Sequence, residues 1–237
     1  MERKFRGQAL TLFLILSGIF IASLVGCNLI FQKFFVLKPF AFFGQSEWSQ
    51  FTFEASVGLL AYPVTFLVTD LISELYGMKW ANRVVLAGFI SALFIYLLVS
   101  LAENVEATVW SPISNEIFSK VFGLTGPAVL ASMCAYLIAQ FIDIRLFHFW
   151  KKLTNGKKLW LRNNLSTIPS QFVDTAVVLL LLCLMEKIEW QRFSSLFLNG
   201  FLYKIIFALV DTPILYVMVY FARRMFEISE NEELKID

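Results

Sequence analysis

Six apolar stretches, each about as long as a bilayer crossing, alternate with short polar segments: residues 9–31, 55–77, 84–102, 128–149, 165–185 and 197–222. At about 1.5 Å rise per residue, each stretch as a helix covers roughly 30 Å of hydrocarbon. The pattern predicts an all-α membrane protein, a six-transmembrane-helix bundle forming a single integral membrane domain over 1–237. Between the first two stretches, Lys33 to Glu54 mixes Phe34, Phe35, Phe40, Phe42 and Phe43 with Lys38, Pro39 and Gly44. That mixture reads as an interfacial or re-entrant loop. The segment from Glu103 to Pro127 is similar, with a short amphipathic stretch near Ile117 to Phe122. Residues 225–237 form an acidic tail expected to be frayed.

Composition agrees with this pattern. Hydrophobic residues make up 58% of the chain, charged residues 16%, and the mean hydropathy is +0.70. A water-facing domain carries roughly a quarter charged residues, so these are too few to coat one. The net charge of +2 and the lack of a basic, aromatic-interleaved patch argue against nucleic acid as a partner. Cys27, Cys134 and Cys183 each sit in an apolar run without CxxC spacing and read as buried small hydrophobes, not a disulfide or metal site. Leu24-Val25-Gly26-Cys27 mimics a bacterial lipoprotein cleavage box. The apolar run from Ala9 to Cys27 exceeds a signal core of about 7–15 residues, so it reads as a first, uncleaved helix.

Basic residues orient the bundle. Thirteen Lys and Arg lie on one side, among them Arg3, Lys79, Lys151, Arg162 and Arg223; five lie on the other, in the segments holding Lys33, Lys120 and Arg192. Six spans with both termini cytoplasmic sort the charges this way, whereas an odd number of spans mixes them.

Four of the stretches contain polar groups inside the hydrocarbon, each costing about 2.5–3.5 kcal/mol when charged. They come in pairs at same-face helical spacing: Asp70 with Glu74, Gln140 with Asp143, Gln171 with Asp174, and Lys204 with Asp211. Gln140-Phe-Ile-Asp143 and Gln171-Phe-Val-Asp174 repeat one pattern on successive antiparallel helices. Counted from the cytoplasmic ends, Gln140 and Asp174 both fall roughly 13 Å deep, and Asp143 and Gln171 roughly 9 Å. Asp70 falls at a similar level, Asp211 deeper, and Lys204 nearer the outer surface. Such residues can knit helices with hydrogen bonds worth about 1 kcal/mol each, but one Gln would serve that purpose. The set predicts a polar cluster from the midplane toward the cytoplasmic side, with one cation above it. Glu74 and Arg83, near the boundary, read as structural, and His148 as an interfacial residue. Pro63 and Pro213 either free backbone carbonyls beside a cavity or merely kink their helices. No HExxH, GxSxG, paired histidines or Walker A sequence is present. No enzyme, cofactor or metal is expected.

The charged helices carry Tyr62-Pro63-Val64-Thr65-Phe66-Leu67-Val68-Thr69-Asp70-Leu71-Ile72-Ser73-Glu74-Leu75-Tyr76-Gly77. Ala139-Gln140-Phe141-Ile142-Asp143 follows, then Leu159-Trp160-Leu161-Arg162-Asn163-Asn164-Leu165-Ser166-Thr167 with Gln171 and Asp174-Thr175, and finally Asp211-Thr212-Pro213. From about Tyr62 onward the chain resembles the queuosine precursor transporter family, also called the vitamin uptake transporter family. The resemblance implies a bacterial inner-membrane importer of the 7-deazaguanine bases preQ0, preQ1 or queuine for tRNA modification. It also implies a bundle similar to the substrate-binding subunits of energy-coupling-factor transporters, working without an ATPase module. Its partners would be the small-molecule base and membrane lipid, with a homodimer left open.

A guanine-like edge presents adjacent N–H donors that one carboxylate can accept together, and its carbonyl needs an amide donor. On that chemistry Asp70, Gln140, Asp143, Asn163, Asn164, Gln171 and Asp174 are the candidate base-binding residues, and Phe141, Phe172 or Trp160 the aromatic walls. A second carboxylate suits the amine of preQ1 or queuine. Lys204 and Asp211 would form an ion pair or gate toward the outside, with Glu74 in the gating or ion-coupling set. Arg162-Asn163-Asn164 opens the fifth helix, where Asn164 or Ser166 caps it or the turn gates the inner mouth. Proton coupling and facilitated diffusion are equally compatible. Two other readings stand beside import: a capture subunit for another planar vitamin that depends on an ATPase, and a structural membrane protein without a ligand.

Overall fold

The computed structural model describes residues 3–31, 33–37, 53–122, 127–186, 188–229 and 232–236. Its elements run α1 (Arg3–Ile30), β1 (Phe34–Leu37), β2 (Phe53–Ser56), a 3-10 turn (Val57–Leu60), α2 (Tyr62–Tyr76), α3 (Met78–Glu103), α4 (Asn115–Phe122), α5 (Pro127–Leu153), α6 (Leu159–Leu184) and α7 (Trp190–Phe226). Five helical segments are long and apolar enough to cross a membrane: α1, α2 with its 3-10 turn, α3, α6 and α7. The chain is therefore a multi-pass membrane protein.

The helices overrun the apolar stretches at eight of their twelve ends, while α2 with its 3-10 turn falls short at both. Arg3 to Gln8, Met78 to Arg83 and Leu159 to Asn164 are polar-rich yet helical; Arg83 is exposed there, whereas Arg162 turns inward and is buried. At 37 residues, α7 is about 55 Å long, more than one crossing needs. The all-helical expectation needs one amendment, since β1 and β2 pair antiparallel with Phe34 opposite Ser56. The rest of the Phe-rich loop, 38–52, lies outside the described residues. The amphipathic stretch expected near 117–122 is α4, none of whose residues is buried.

The sequence of α1 explains its packing. Ala9, Phe13, Leu16, Phe20, Leu24 and Cys27 recur every three or four residues and are all buried, forming one stripe against α2 and α3. Phe13 meets the rings of Tyr76 and Trp80 edge-on at 5.3 and 5.1 Å. Phe20 packs where Gly88 of α3 has no side chain, and its ring fills the space a Cβ would take. In lipid this contact gains from dispersion and close fit, because tails solvate Phe and Leu as well as a neighbouring helix does. The outer face of α3, with Leu86, Ile90, Phe94, Leu97 and Leu101, is exposed.

α2 is the central element, in contact with α1, α3, α5 and α7. Every residue from Val68 to Tyr76 is buried, so the Asp, Ser and Glu there face protein. Pro63 lies in the first turn of α2, where its missing N–H has no helical partner to lose; it neither kinks the helix nor frees a carbonyl. Pro169 and Pro213 lie inside α6 and α7, each of which continues through its proline.

The tail is docked, contrary to the frayed end expected. The amide of Leu234 donates to the carbonyl of Leu75 at 2.7 Å, satisfying a carbonyl that the end of α2 leaves without a helical donor. Leu234 and Ile236 are buried in the main apolar cluster. Acidic composition suggested a solvated tail, but its alternate apolar residues face inward.

Candidate functional site

The sequence-predicted polar residues meet where α2, α5, α6 and α7 pack, in two separate groups. The first is at the basic end of the bundle. Glu74 is fully buried and takes Arg162 at 2.6 Å, Arg223 at 2.5 Å and Lys151 at 3.5 Å, so α2, α5, α6 and α7 are joined through one carboxylate. Arg162 also donates to the carbonyl of Gly156 at 2.6 Å and lies 5.5 Å over the ring of Phe147. Taking charges out of water costs several kcal/mol per ion, and only dense pairing of this kind offsets it. Glu233 of the tail approaches the same Lys151 at 3.8 Å. Arg83 is absent from this knot and stacks on Trp80 at 4.6 Å.

The second group lies deeper. Asp143 on α5 accepts from Ser170 of α6 at 3.1 Å, and Asp70 on α2 from Thr167 of α6 at 3.4 Å. The Asp70 and Asp143 carboxyls are within hydrogen-bonding reach of each other. Asp211 on α7 is near enough for its charge to act on Asp70. Asn163 and Asn164 both donate to the hydroxyl of Thr212, at 3.2 and 2.9 Å, tying α6 to α7 beside Asp211. Gln140 and Gln171 are buried on the α5 and α6 faces that carry Asp143 and Asp174.

Asp174 has the most elaborate surroundings. Its Oδ2 accepts from the hydroxyl of Tyr62 and from the ammonium of Lys204, both at 2.5 Å. Lys204 also donates to Thr175 at 3.0 Å and sits 4.6 Å from the centroid of the Tyr62 ring. Carboxylate, hydroxyl and aromatic face together make a complete site for one ammonium. The ion pair expected between Lys204 and Asp211 is replaced by this one. Seven residues apart on one helix, those two lie about 10 Å apart along its axis, whereas Asp174 faces Lys204 across the α6–α7 contact.

Two tyrosines belong to the site that the sequence reading left out. Tyr136 accepts from Gln140 at 2.7 Å and packs edge-on to Tyr62 at 5.6 Å and Phe66 at 5.9 Å. The signal was available: Tyr136 stands one turn before Gln140, and Tyr62 two turns before Asp70. The aromatic walls proposed from sequence lie elsewhere. Trp160 and Phe172 are exposed, and Phe172 packs on Phe197 and Phe201 of α7 at 5.2 and 5.5 Å. Phe141 packs at the edge of the apolar core. Neither Asn164 nor Ser166 caps α6. Its N-cap is Lys158, and both residues lie inside the helix, Asn164 bonded to Trp160 and Ser166 to Asn163. Pro169, between Thr167 and Ser170, was also overlooked; it removes an amide donor at the level of the carboxyl pair. Of the cysteines, Cys134 is exposed, while Cys27 and Cys183 are buried.

Several oxygens in this deeper group have no hydrogen-bond donor among the described residues: Asp70 Oδ1, Gln140 Oε1, Asp143 Oδ2, Asn164 Oδ1, Gln171 Oε1 and Asp174 Oδ1. Each is buried; the amide oxygens only accept, while Asp70 and Asp143, within reach of each other, can share a proton. A buried acceptor without a donor costs about 1–3 kcal/mol. Along α6 the Asn164 and Asp174 positions lie about 15 Å apart, so these oxygens favour donors at successive levels between the helices. A surface cleft of about 390 Å³ at the loop between α3 and α4 holds none of these groups.

Over 172 residues the chain is 28% identical to a probable queuosine precursor transporter of Bacillus subtilis, covering 70% of this chain and 72% of the relative. It is 27% identical over 123 residues to the queuosine precursor transporter of Escherichia coli, covering 52% of each. It is 26% identical over 131 residues to a probable queuosine precursor transporter of Haemophilus influenzae, covering 54% of this chain and 52% of the relative. The matches to the last two span about half the length of each. No solved structure gives a significant match. The family described as "Putative vitamin uptake transporter" matches residues 56–218, which include every candidate site residue from Tyr62 to Asp211. With well over half of its length matched, the chain belongs to the vitamin uptake transporter family.

Proposed function

We propose that this chain imports queuosine precursors (preQ0, preQ1 or queuine) across the bacterial inner membrane for tRNA modification. The observation that carries the reading is the set of buried, donorless acceptors between α2, α5, α6 and α7. A 7-deazaguanine edge offers an N1–H and an exocyclic NH₂ side by side, and the pyrrole ring adds another N–H, so the base supplies donors where they are lacking. Asp70, Gln140, Asp143, Asn163, Asn164, Gln171 and Asp174 bind it, with the rings of Tyr62 and Tyr136 as the aromatic wall. Lys204, Asp211 and Glu74 govern access and ion coupling, and the chain performs no catalysis. Curated relatives carrying the queuosine precursor name support this substrate class.

In this reading the whole chain is one membrane domain of six spans, resembling an energy-coupling-factor substrate-binding subunit. α5, with 27 residues, is the sixth crossing. The basic excess around Arg3, Lys151 and Arg223 faces the cytoplasm, which puts both termini there. Uptake of labelled preQ1 by cells expressing the chain tests the site. Asp70→Asn, Asp143→Asn and Asp174→Asn are each expected to abolish uptake while the protein remains in the membrane. Undiminished uptake in all three would overturn the assignment. Transport by the purified chain in vesicles without ATP would separate it from an ATPase-dependent capture subunit.

A further inference from the structure

Two of the buried carboxylates have cations of their own: Lys204 for Asp174, and Arg162, Arg223 and Lys151 for Glu74. Asp70 and Asp143 do not. Both are buried, 2% and 0% exposed. Their carboxyls reach each other, and the side-chain donors that meet them are the neutral hydroxyls of Ser166, Thr167 and Ser170. Among the described residues neither makes an ion pair. Asp211 adds a third carboxyl whose charge acts on Asp70. This level of the bundle therefore gathers acid groups without a matching base, which is costly unless they share a proton or a cation arrives.

A second observation bears on what that cation is. Gln140 Oε1, one turn from Asp143 on the same face of α5, is a buried acceptor without a donor, and so is Gln171 Oε1, next to Ser170. A bare metal ion would leave a planar base unexplained, and a neutral base would leave the acid pair dependent on a shared proton. A base carrying an ammonium answers both, with ring N–H groups for the amide oxygens and a charge for the acids. The ammonium position on Asp174 is already filled by Lys204, so the Asp70–Asp143 pair is the one open to the guest.

We infer that Asp70 and Asp143 together form a subsite for a primary ammonium on the base, which makes this chain selective for aminomethyl- over cyano-substituted 7-deazaguanine. This rests on the base-import reading above. An ammonium has three donors and no acceptor, enough to bridge two carboxylates. A nitrile in the same place sets an acceptor against acceptors, and that mismatch discriminates as strongly as the attraction does.

The test is binding of preQ1 and preQ0 to the purified full chain in lipid nanodiscs, for the wild type and for Asp70→Asn and Asp143→Asn. The wild type is expected to hold preQ1 about tenfold or more tighter than preQ0. Each variant is expected to lose that preference, its preQ1 binding falling by about tenfold or more beyond any loss in preQ0 binding, and a ligand-free melting temperature close to the wild type's shows that the variant is folded. Equal wild-type affinity for the two bases would overturn the subsite and leave base import standing. So would variants that weaken both bases alike. Failure of the wild type to bind either base would overturn the base-import reading and the subsite with it.

Discussion

Lys204 on α7 meets Asp174 on α6 at 2.5 Å, through the same carboxylate oxygen that accepts the hydroxyl of Tyr62. Three helices are thereby fastened at one atom, while the other oxygen of Asp174 stays buried without a donor. Half of this carboxylate thus holds the bundle together, and half is available to a guest.

Removing the cation should be expensive. Lys204→Met leaves Asp174 buried and uncompensated, a loss of about 3–5 kcal/mol for a pair broken on one side. In detergent this reads as a large fall in melting temperature. Adding Asp174→Leu to Lys204→Met should recover much of the loss, because no unpaired charge then remains. Losses that simply add would contradict the pairing.

Glu74 offers a second test at the basic end. Glu74→Gln keeps the shape but deprives Arg162, Arg223 and Lys151 of their shared anion, again costing about 3–5 kcal/mol. Arg83→Ala removes an exposed cation stacked on Trp80, worth about 0.5–1 kcal/mol. Melting temperatures of the two variants should differ accordingly, and equal effects would contradict the central place of Glu74.

Gly77, between α2 and α3, has φ +83 and ψ 172, a conformation that residues other than glycine rarely adopt. A Cβ there would meet the Glu233 carboxylate, the far end of a flexible side chain that can give way. Gly77→Ala should therefore cost about 1–3 kcal/mol, nearly all of it in the backbone. A chain ending at Ile228, and so lacking the docked tail, should show nearly the same fall in melting temperature. A fall that vanishes on truncation would contradict the backbone account.

Acid should loosen the same tail. Glu232 accepts from the Ser229 amide at 2.9 Å, which holds its carboxyl below the usual range. A lowered acid contributes at neutral pH and loses its contribution as pH falls through the lowered value. Protease cleavage within 229–236 should therefore speed up on acidification, and Glu232→Gln should flatten that dependence.

Much of this was legible in the sequence. Helical spacing paired Gln140 with Asp143 and Gln171 with Asp174, and depth counting put Asp143 beside the start of the Gln171 turn, where Ser170 meets it. Which residues bind one another was not legible. Lys204 could be read with Asp211 because they share a stripe, but partner choice depends on which helix lies alongside, and that is set by packing of the whole bundle. Tyr62 and Tyr136 were hidden because a Tyr in an apolar run reads as core until its hydroxyl is seen to have a partner. The tail misled for a related reason: its charges dominate the composition, whereas Leu234 and the end of α2 decide its position.

The central claim, a donor-hungry site for a 7-deazaguanine base, is tested most directly by thermal stabilisation of the purified chain. With preQ1 or queuine the melting temperature should rise with ligand concentration, while adenine, whose edge sets one acceptor beside its amine, should leave it unchanged. No rise with preQ0, preQ1 or queuine, or an equal rise with adenine, would contradict the account.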